Sequence, residues 1–235
     1  MGKQFDRITL LFGDEYIEKI KDKKVVIFGI GGVGGYVCEG LVRSGISNFL
    51  LVDADTVDET NFNRQIISSY DVLGKDKVEV MKNRILSINP DAKVEVRKCF
   101  YLPENESSFD FSKYDYVVDA VDTVSAKLSI ITNAKKCGVP VISAMGAGNK
   151  MDPTKLIVCD IAKTEIDPLA RVIRYELRKR NIKNVKVVYS KEIPTALQKQ
   201  IISLESGKPT PGSMMFVPAT MGIIMAKEVI NDLIN

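Results

Sequence analysis

The residues best suited to chemistry in the first half of the chain are a run of glycines and the charged side chains that follow it. "GIGGVGG" begins at Gly29. Gly29, Gly31 and Gly34 fit G-x-G-x-x-G, with Gly32 additional. Glycines at this spacing let the backbone turn tightly and bring its N–H groups against phosphate, and a following helix adds a field that favours negative charge. Asp53 stands 19 residues after Gly34, where a carboxylate accepts hydrogen bonds from ribose hydroxyls. "DADTVDETNFNRQ" (53–65) then supplies Asn61, Asn63, Arg64 and Gln65, with Lys77 further on, and "VVDAVDTV" adds Asp119 and Asp122. Two chemistries fit a nucleotide held in this way. A hydride-transfer site neutralises only a diphosphate. A triphosphate carries about two more charges and calls for Arg and Lys on several sides, plus a carboxylate for magnesium. Arg64 and Lys77 supply such cations, and Asp122, just beyond a strand, supplies the carboxylate. Taken singly, Arg64 is also readable as a surface residue and Lys77 as a solvated helix lysine.

The chain has no histidine. That excludes a Ser-His-Asp triad and a histidine-ligated metal, so proton transfer falls to carboxylates, lysines or water. Four cysteines stand far apart and suggest neither a disulfide framework nor a C-x-x-C zinc knuckle. A reducing, cytoplasmic setting is the simplest expectation. The N-terminus carries Asp and Glu without a long apolar stretch, so no signal peptide is expected. No apolar run reaches the length of a membrane span.

The elements that must position these residues alternate. "KVVIFG" (24–29), "FLLVD" (49–53), "KVEVRKC" (93–99), "YVVDA" (116–120) and "VPVISA" (139–144) read as strands. Helical patterns run from about Val33 to Ser44, Lys75 to Ile88 and 124 to 137. This alternation predicts an α/β fold with a doubly wound, Rossmann-like, mostly parallel sheet. After Met151 the pattern changes. "KLIVCDIAK" (155–163) and "VKVVYS" (185–190) read as further strands, an antiparallel C-terminal extension. They flank a helix over 167–180 with Asp167 as N-cap and Pro168 in its first turn. "SLESGKPTPGS" (203–213) reads as a mobile loop. A terminal helix over 214–234 is expected to face the core or a second copy.

Net charge is +3, unevenly spread. Residues 161–200 hold ten Lys or Arg against four Asp or Glu. Such a segment suits a polyanionic partner, and equally a solvated helix face followed by a charged loop.

"GIGGVGG", "DADTVDETNFNRQ", "GKDKVEVMKNRILSINP" and "DAVDT" resemble the adenylating domain shared by ubiquitin-activating enzymes and the sulfur-carrier activators of thiamine and molybdopterin synthesis. "GAGNKMDPTKLIVCDIAKTEIDPLARVIRYELRK" (146–179) is similar to the tRNA threonylcarbamoyladenosine dehydratase branch. The sulfur-carrier activators usually carry two C-x-x-C zinc pairs, which are absent here, and ubiquitin-type activation needs a crossover-loop thiol. Residues 181–212 contain no cysteine.

The resemblance implies a single ATP-binding adenylating domain over 1–235, with a nucleotide-binding half over 20–150 and a substrate-binding and dimerisation half over 151–235. It implies ATP and Mg2+ as cofactors. Asp53 would bind ribose, Arg64 and Lys77 the phosphates, and Asp122 the magnesium, with Asn61 assisting at the reacting phosphate. Gly29, Gly31, Gly32, Gly34, Asp55 and Gln65 would complete the nucleotide site, and Arg7 would reach into the ATP site of a partner subunit. Lys163, Arg171, Arg174, Arg178 and Arg180 would grip the tRNA. The expected partners are tRNA carrying threonylcarbamoyladenosine, not DNA, and a second copy of the chain. The branch also allows a sulfur-transfer protein, against which the missing loop cysteine argues. The alternative activity is adenylation of the C-terminus of a ubiquitin-like sulfur carrier.

Overall fold

The apolar runs become strands that join in one seven-stranded sheet. The computed structural model describes residues 3–202 and 209–235. In chain order the strands are β1 (Lys24–Phe28), β2 (Asn48–Val52), β3 (Lys93–Arg97), β4 (Tyr116–Asp119), β5 (Val141–Ala144), β6 (Leu156–Asp160) and β7 (Lys186–Ser190). Their spatial order is β3-β2-β1-β4-β5-β7-β6. All neighbours are parallel except β6 and β7.

Two features of this order position the site. β2 and β3 lie on one side of β1 and the later strands on the other, which makes the β1/β4 boundary a topological switch point, where open α/β sheets bind ligands. Register does the rest. Phe28 lies opposite both Val52 and Asp119, so Gly29, Asp53 and Ala120 emerge side by side at the carboxyl edge.

The helices are α1 (Asp6–Phe12), α2 (Glu15–Ile20), α3 (Gly34–Arg43), α4 (Lys77–Ile88), α5 (Val124–Lys136), α6 (Pro168–Lys179) and α7 (Phe216–Ile234). Alternation along β1 divides the core between two faces. Val25 and Ile27 join α2, α3, α4 and α7, while Val26 and Phe28 join α5 and α6. Ile27→Ala would open a cavity between buried layers and cost about 2–5 kcal/mol. α7 approaches α3 so closely that a Cβ on Gly222 would lie 2.4 Å from the Val33 carbonyl oxygen. The terminal helix is thus core, and it pins the start of α3 behind the glycine turn. β3 is an edge strand, with Lys93, Glu95 and Arg97 turned away from the core, as a protected edge requires.

Several boundaries differ from expectation. α4 begins at Lys77 instead of Lys75, because the preceding residues pair with the loop after β2. Val57 N–H donates to the Lys75 carbonyl at 2.8 Å, and Thr56 bridges Asp76. The strand over 155–163 stops at Asp160, whose carboxylate accepts from Ala162 N–H at 2.7 Å and turns the chain into a 3-10 turn over Ile161–Lys163. The short N-terminal helices were not anticipated. α2 buries Tyr16, Ile17 and Ile20, whereas α1 buries nothing. The loop expected over 203–213 lies partly outside the described residues. Among those described, no helix is long and apolar enough to cross a membrane.

Candidate active site

The glycine turn is built by two of its glycines and opened to a ligand by two others. Gly29 has φ +87°, and a Cβ there would lie 2.7 Å from the Ala120 carbonyl oxygen. A Cβ on Gly34 would lie 1.8 Å from the Gly29 carbonyl oxygen. Gly31 and Gly32 have room and, with Gly29, line a cavity of about 700 Å³ at the switch point. Gly34, expected among the nucleotide-contacting residues, does not line it, since its position lets α3 pack against the turn. Among the described residues no side chain caps the N-terminus of α3, so its orphan N–H groups remain available to an anion.

Asp53 ties the turn to the end of β2. Its two carboxylate oxygens accept from Ile30 N–H at 2.6 Å and Asp55 N–H at 2.8 Å. Burial pushes its carboxyl above the ordinary aspartate range, and the two backbone hydrogen bonds and nearby Lys77 only partly offset this. A carboxylate has about four lone-pair sites, so the cavity side retains acceptors. Lys77 is no solvated lysine. It is only 4% exposed, and its Nζ donates to Asp55 at 2.7 Å. Asp55 serves as its counterion at the cavity wall.

The loop after β2 delivers the polar group. Asn61 ends a 3-10 turn over Glu59–Asn61, where Asp58 and Asn61 cap each other's backbone. Arg64 Nη1 donates to the Thr60 carbonyl at 2.7 Å and to Asn63 Oδ1 at 2.9 Å. Gln65 is buried, and its Oε1 has no partner among the described residues. Asn61, Arg64 and Gln65 all line the cavity. Opposite them Asp122 is exposed, and among the described residues its carboxylate has only a 3.5 Å contact from Thr123 Oγ1. Asp119, its neighbour in the sequence, is withdrawn from the site. It is buried against Lys127 Nζ at 2.8 Å and Ser143 Oγ at 2.5 Å. Among the described residues no three acids or cysteines converge as a metal cage. Asp122 would therefore fit a magnesium ion that the protein does not hold alone.

A sequence profile of the ThiF family matches residues 5–235. The tRNA threonylcarbamoyladenosine dehydratase of Bacillus subtilis (strain 168) is 42% identical over 245 aligned positions, covering all of this chain and 96% of that protein. The chain belongs to the ThiF family, among its tRNA threonylcarbamoyladenosine dehydratases. The crystal structure of the Escherichia coli tRNA N6-threonylcarbamoyladenosine dehydratase in complex with ATP superposes with a TM-score of 0.89 at 32% identity, covering 99% of this chain and 94% of that one. The same enzyme in complex with AMP gives 0.89 at 33%.

Within this ThiF-family cavity, two regions line the site that the sequence does not assign to it. Cys99 to Leu102, just past β3, form an apolar shelf, on which Tyr101 packs against Phe28 with centroids 4.8 Å apart. Two aromatics directly after a strand's carboxyl end were the available signal. The second region runs over 144–150 and the start of α6. Lys150 Nζ donates to Asp167 at 2.6 Å and to the Gly146 carbonyl at 2.7 Å, with both side chains buried. Asp167 also caps α6 as expected, accepting from Ala170 N–H. Asn149, at φ 59°, holds this loop by backbone and side-chain hydrogen bonds to Gly212 and by its carbonyl to Thr195 N–H. No spacing rule links those three segments.

The remaining expected residues lie elsewhere. Arg7 is exposed on α1 and does not line the cavity of its own chain. Arg171, Arg174 and Arg178 share one cleft along α6, as the helical period predicts. Lys163 and Arg180 do not line that cleft, and Arg180 is engaged by Glu176 at 2.6 Å.

Proposed function

We propose that this chain dehydrates threonylcarbamoyladenosine in tRNA, activating the threonyl carboxylate with ATP and closing it into a ring. One observation carries this reading. A single cavity joins the glycine turn, Asp53, Lys77, Arg64 and Asp122 to the 144–150 loop and the first residues of α6. It has room for a nucleotide at one end and an acyl group at the other.

Placement in the cavity supports the following roles. The backbone of Gly29, Gly31 and Gly32 and the start of α3 take the phosphates, with Lys77 and Arg64 adding charge-assisted hydrogen bonds. Asp53 takes the ribose. Gln65 supplies a buried acceptor, and Asn61 lies beside the reacting phosphate. Asp122 would hold magnesium, which would supply neutralisation of phosphate charge. The substrate carboxylate is already ionised at neutral pH and attacks the α-phosphorus without a base. Pyrophosphate leaves and an acyl-adenylate forms. The neighbouring carbamoyl oxygen or nitrogen then attacks the acyl carbon, AMP departs and one proton is released. The net change is loss of one water from the nucleoside. Positioning and charge neutralisation carry the reaction, in keeping with a chain that lacks histidine.

The basic stripe of α6 contacts the tRNA, with Lys163 and Arg180 contributing at its margins. A second copy of the chain covers α1, which exposes Leu10, Leu11 and Phe12 and carries Arg7 toward the partner's cavity. The protein works where its tRNA is, in the cytoplasm. The test is AMP release from ATP by the purified protein. Release with tRNA bearing threonylcarbamoyladenosine, and none with unmodified tRNA, supports the proposal. Release that instead depends on a carrier protein ending in Gly-Gly refutes it.

A further inference from the structure

A second cleft, of about 790 Å³, lies between α6, the Ile161–Lys163 turn and the loop over 181–184, and shares no lining residue with the cavity above. Its floor is apolar, made by buried Ile161 and Leu177 and half-buried Ile182. Its rim carries four cations against the one carboxylate of Asp160. Arg174 is held in place by Thr164, its Nη1 donating to the carbonyl at 2.6 Å and to Oγ1 at 2.5 Å. Arg171, Arg178 and Lys183 are exposed, and none forms an ion pair among the described residues, whereas Glu176 engages Lys179 and Arg180. Tyr175 also lines the cleft and is 58% exposed, with Lys179 Nζ 4.3 Å from its ring centroid. Asn181 and Asn184, both at positive φ, line the cleft as well and can offer amide groups.

This combination matches a nucleotide. A bare phosphate needs the cations and not the apolar floor. A flat heteroaromatic base needs the floor, the exposed ring and the amides, and its phosphates need the cations. Single-stranded RNA is recognised in this way, by bases splayed onto Tyr or Arg and read at their edges. The geometry also fits the first site. Leu169 lines the main cavity and Arg178 lines the cleft, nine residues apart, about 13.5 Å along the helix axis. A strand whose modified adenosine enters the cavity reaches the cleft within a few nucleotides.

We infer that the α6 cleft receives a second, unstacked nucleotide of the RNA strand, its base against Tyr175 and the apolar floor and its phosphates on Arg171, Arg178 and Lys183. The inference rests on the proposed tRNA activity and adds a binding site to it.

The test uses the full chain and a stem-loop RNA bearing threonylcarbamoyladenosine, followed by fluorescence anisotropy. Tyr175→Ala is expected to weaken binding about tenfold to a hundredfold. Tyr175→Phe, which keeps the ring, is expected to bind as the parent does. AMP binding should show one site in the parent and the same site in Tyr175→Ala. Parent-like RNA binding by Tyr175→Ala overturns the cleft assignment and leaves the activity standing. Equal loss in both tyrosine variants overturns stacking as its basis. A second AMP site that disappears in Tyr175→Ala reassigns the cleft to a free nucleotide and also overturns the inference. A parent protein that binds no modified RNA overturns the activity together with the cleft.

Discussion

Two alanines, three positions apart, separate the glycines that build the nucleotide turn from those that face the nucleotide. At Gly34 a new Cβ would lie 1.8 Å from the Gly29 carbonyl oxygen, and ordinary contact begins at 3.4 Å. The turn or α3 must therefore shift by about 1.6 Å, the difference between those distances. The obstructing atom is backbone and cannot rotate away. Overpacking of this kind costs about 3 kcal/mol or more, and in a chain of this length that lowers Tm by about 6–12 °C. A displacement of ~1 Å at a positioned group costs about a hundredfold in rate, so AMP formation should fall at least that far. At Gly31 the nearest atom to a new Cβ is Gln65 Nε2 at 3.9 Å. The fold should accept Gly31→Ala with Tm unchanged or slightly raised, through a less flexible unfolded chain. The added methyl would nevertheless stand on the cavity wall, between the backbone and the phosphates. Loss of one charge-assisted hydrogen bond weakens ATP binding by about 1.5–3 kcal/mol, roughly tenfold to 150-fold. Thermal melting with and without ATP reads both variants. Gly34→Ala should melt early, and Gly31→Ala should melt normally but lose the ATP-induced rise. A Gly31→Ala protein that keeps the full rise, or a Gly34→Ala protein that melts with the parent, would refute the division of roles.

Lys77→Met should weaken ATP binding by about tenfold to 150-fold, the worth of one charged hydrogen bond, measured by calorimetric titration. Lys127→Met leaves buried Asp119 without its counterion. The expected cost is about 3–5 kcal/mol, seen in urea denaturation, with ATP affinity preserved in the protein that remains folded. Asp53 titrates above the ordinary aspartate value because it is buried, and only its ionised form accepts from a ribose hydroxyl without competing as a donor. ATP affinity should therefore fall as pH drops through that raised value, and an affinity that stays flat across the acid range would contradict the ribose role. The stability effect runs oppositely. A folded-state value above the unfolded one contributes stability below pH 3.8 that is lost as pH rises through the folded value.

The sheet was legible because its central strands are continuous apolar runs, and parallel strands covered on both faces must be. The nucleotide turn was legible because backbone geometry leaves glycine as the residue that fits Gly29 and Gly34. Asp53 lies just past β2 and lines the cavity, where the sequence pattern puts it, but its tie to Ile30 N–H across 23 positions leaves no local trace. The sequence favours Asp122 over Asp119 as the site carboxylate, because Asp122 lies beyond the carboxyl edge of the sheet. What it does not show is that Asp119 is a buried counterion, which depends on the register of β4 and the reach of Lys127 from α5. The tie of Asn149 to Thr195 and Gly212 was invisible for the same reason, since long-range hydrogen bonds between irregular segments have no period. The arginine stripe of α6 was visible from helical spacing alone. The cleft behind it depends on where the 181–184 loop folds back.

The most direct test of the central claim is mass spectrometry of nucleosides from tRNA bearing threonylcarbamoyladenosine, after incubation with ATP, magnesium and the purified protein. The expected result is loss of one water from the modified adenosine, matched by AMP formation and absent in Asp122→Ala. An unchanged nucleoside mass beside active, ATP-binding protein would contradict it.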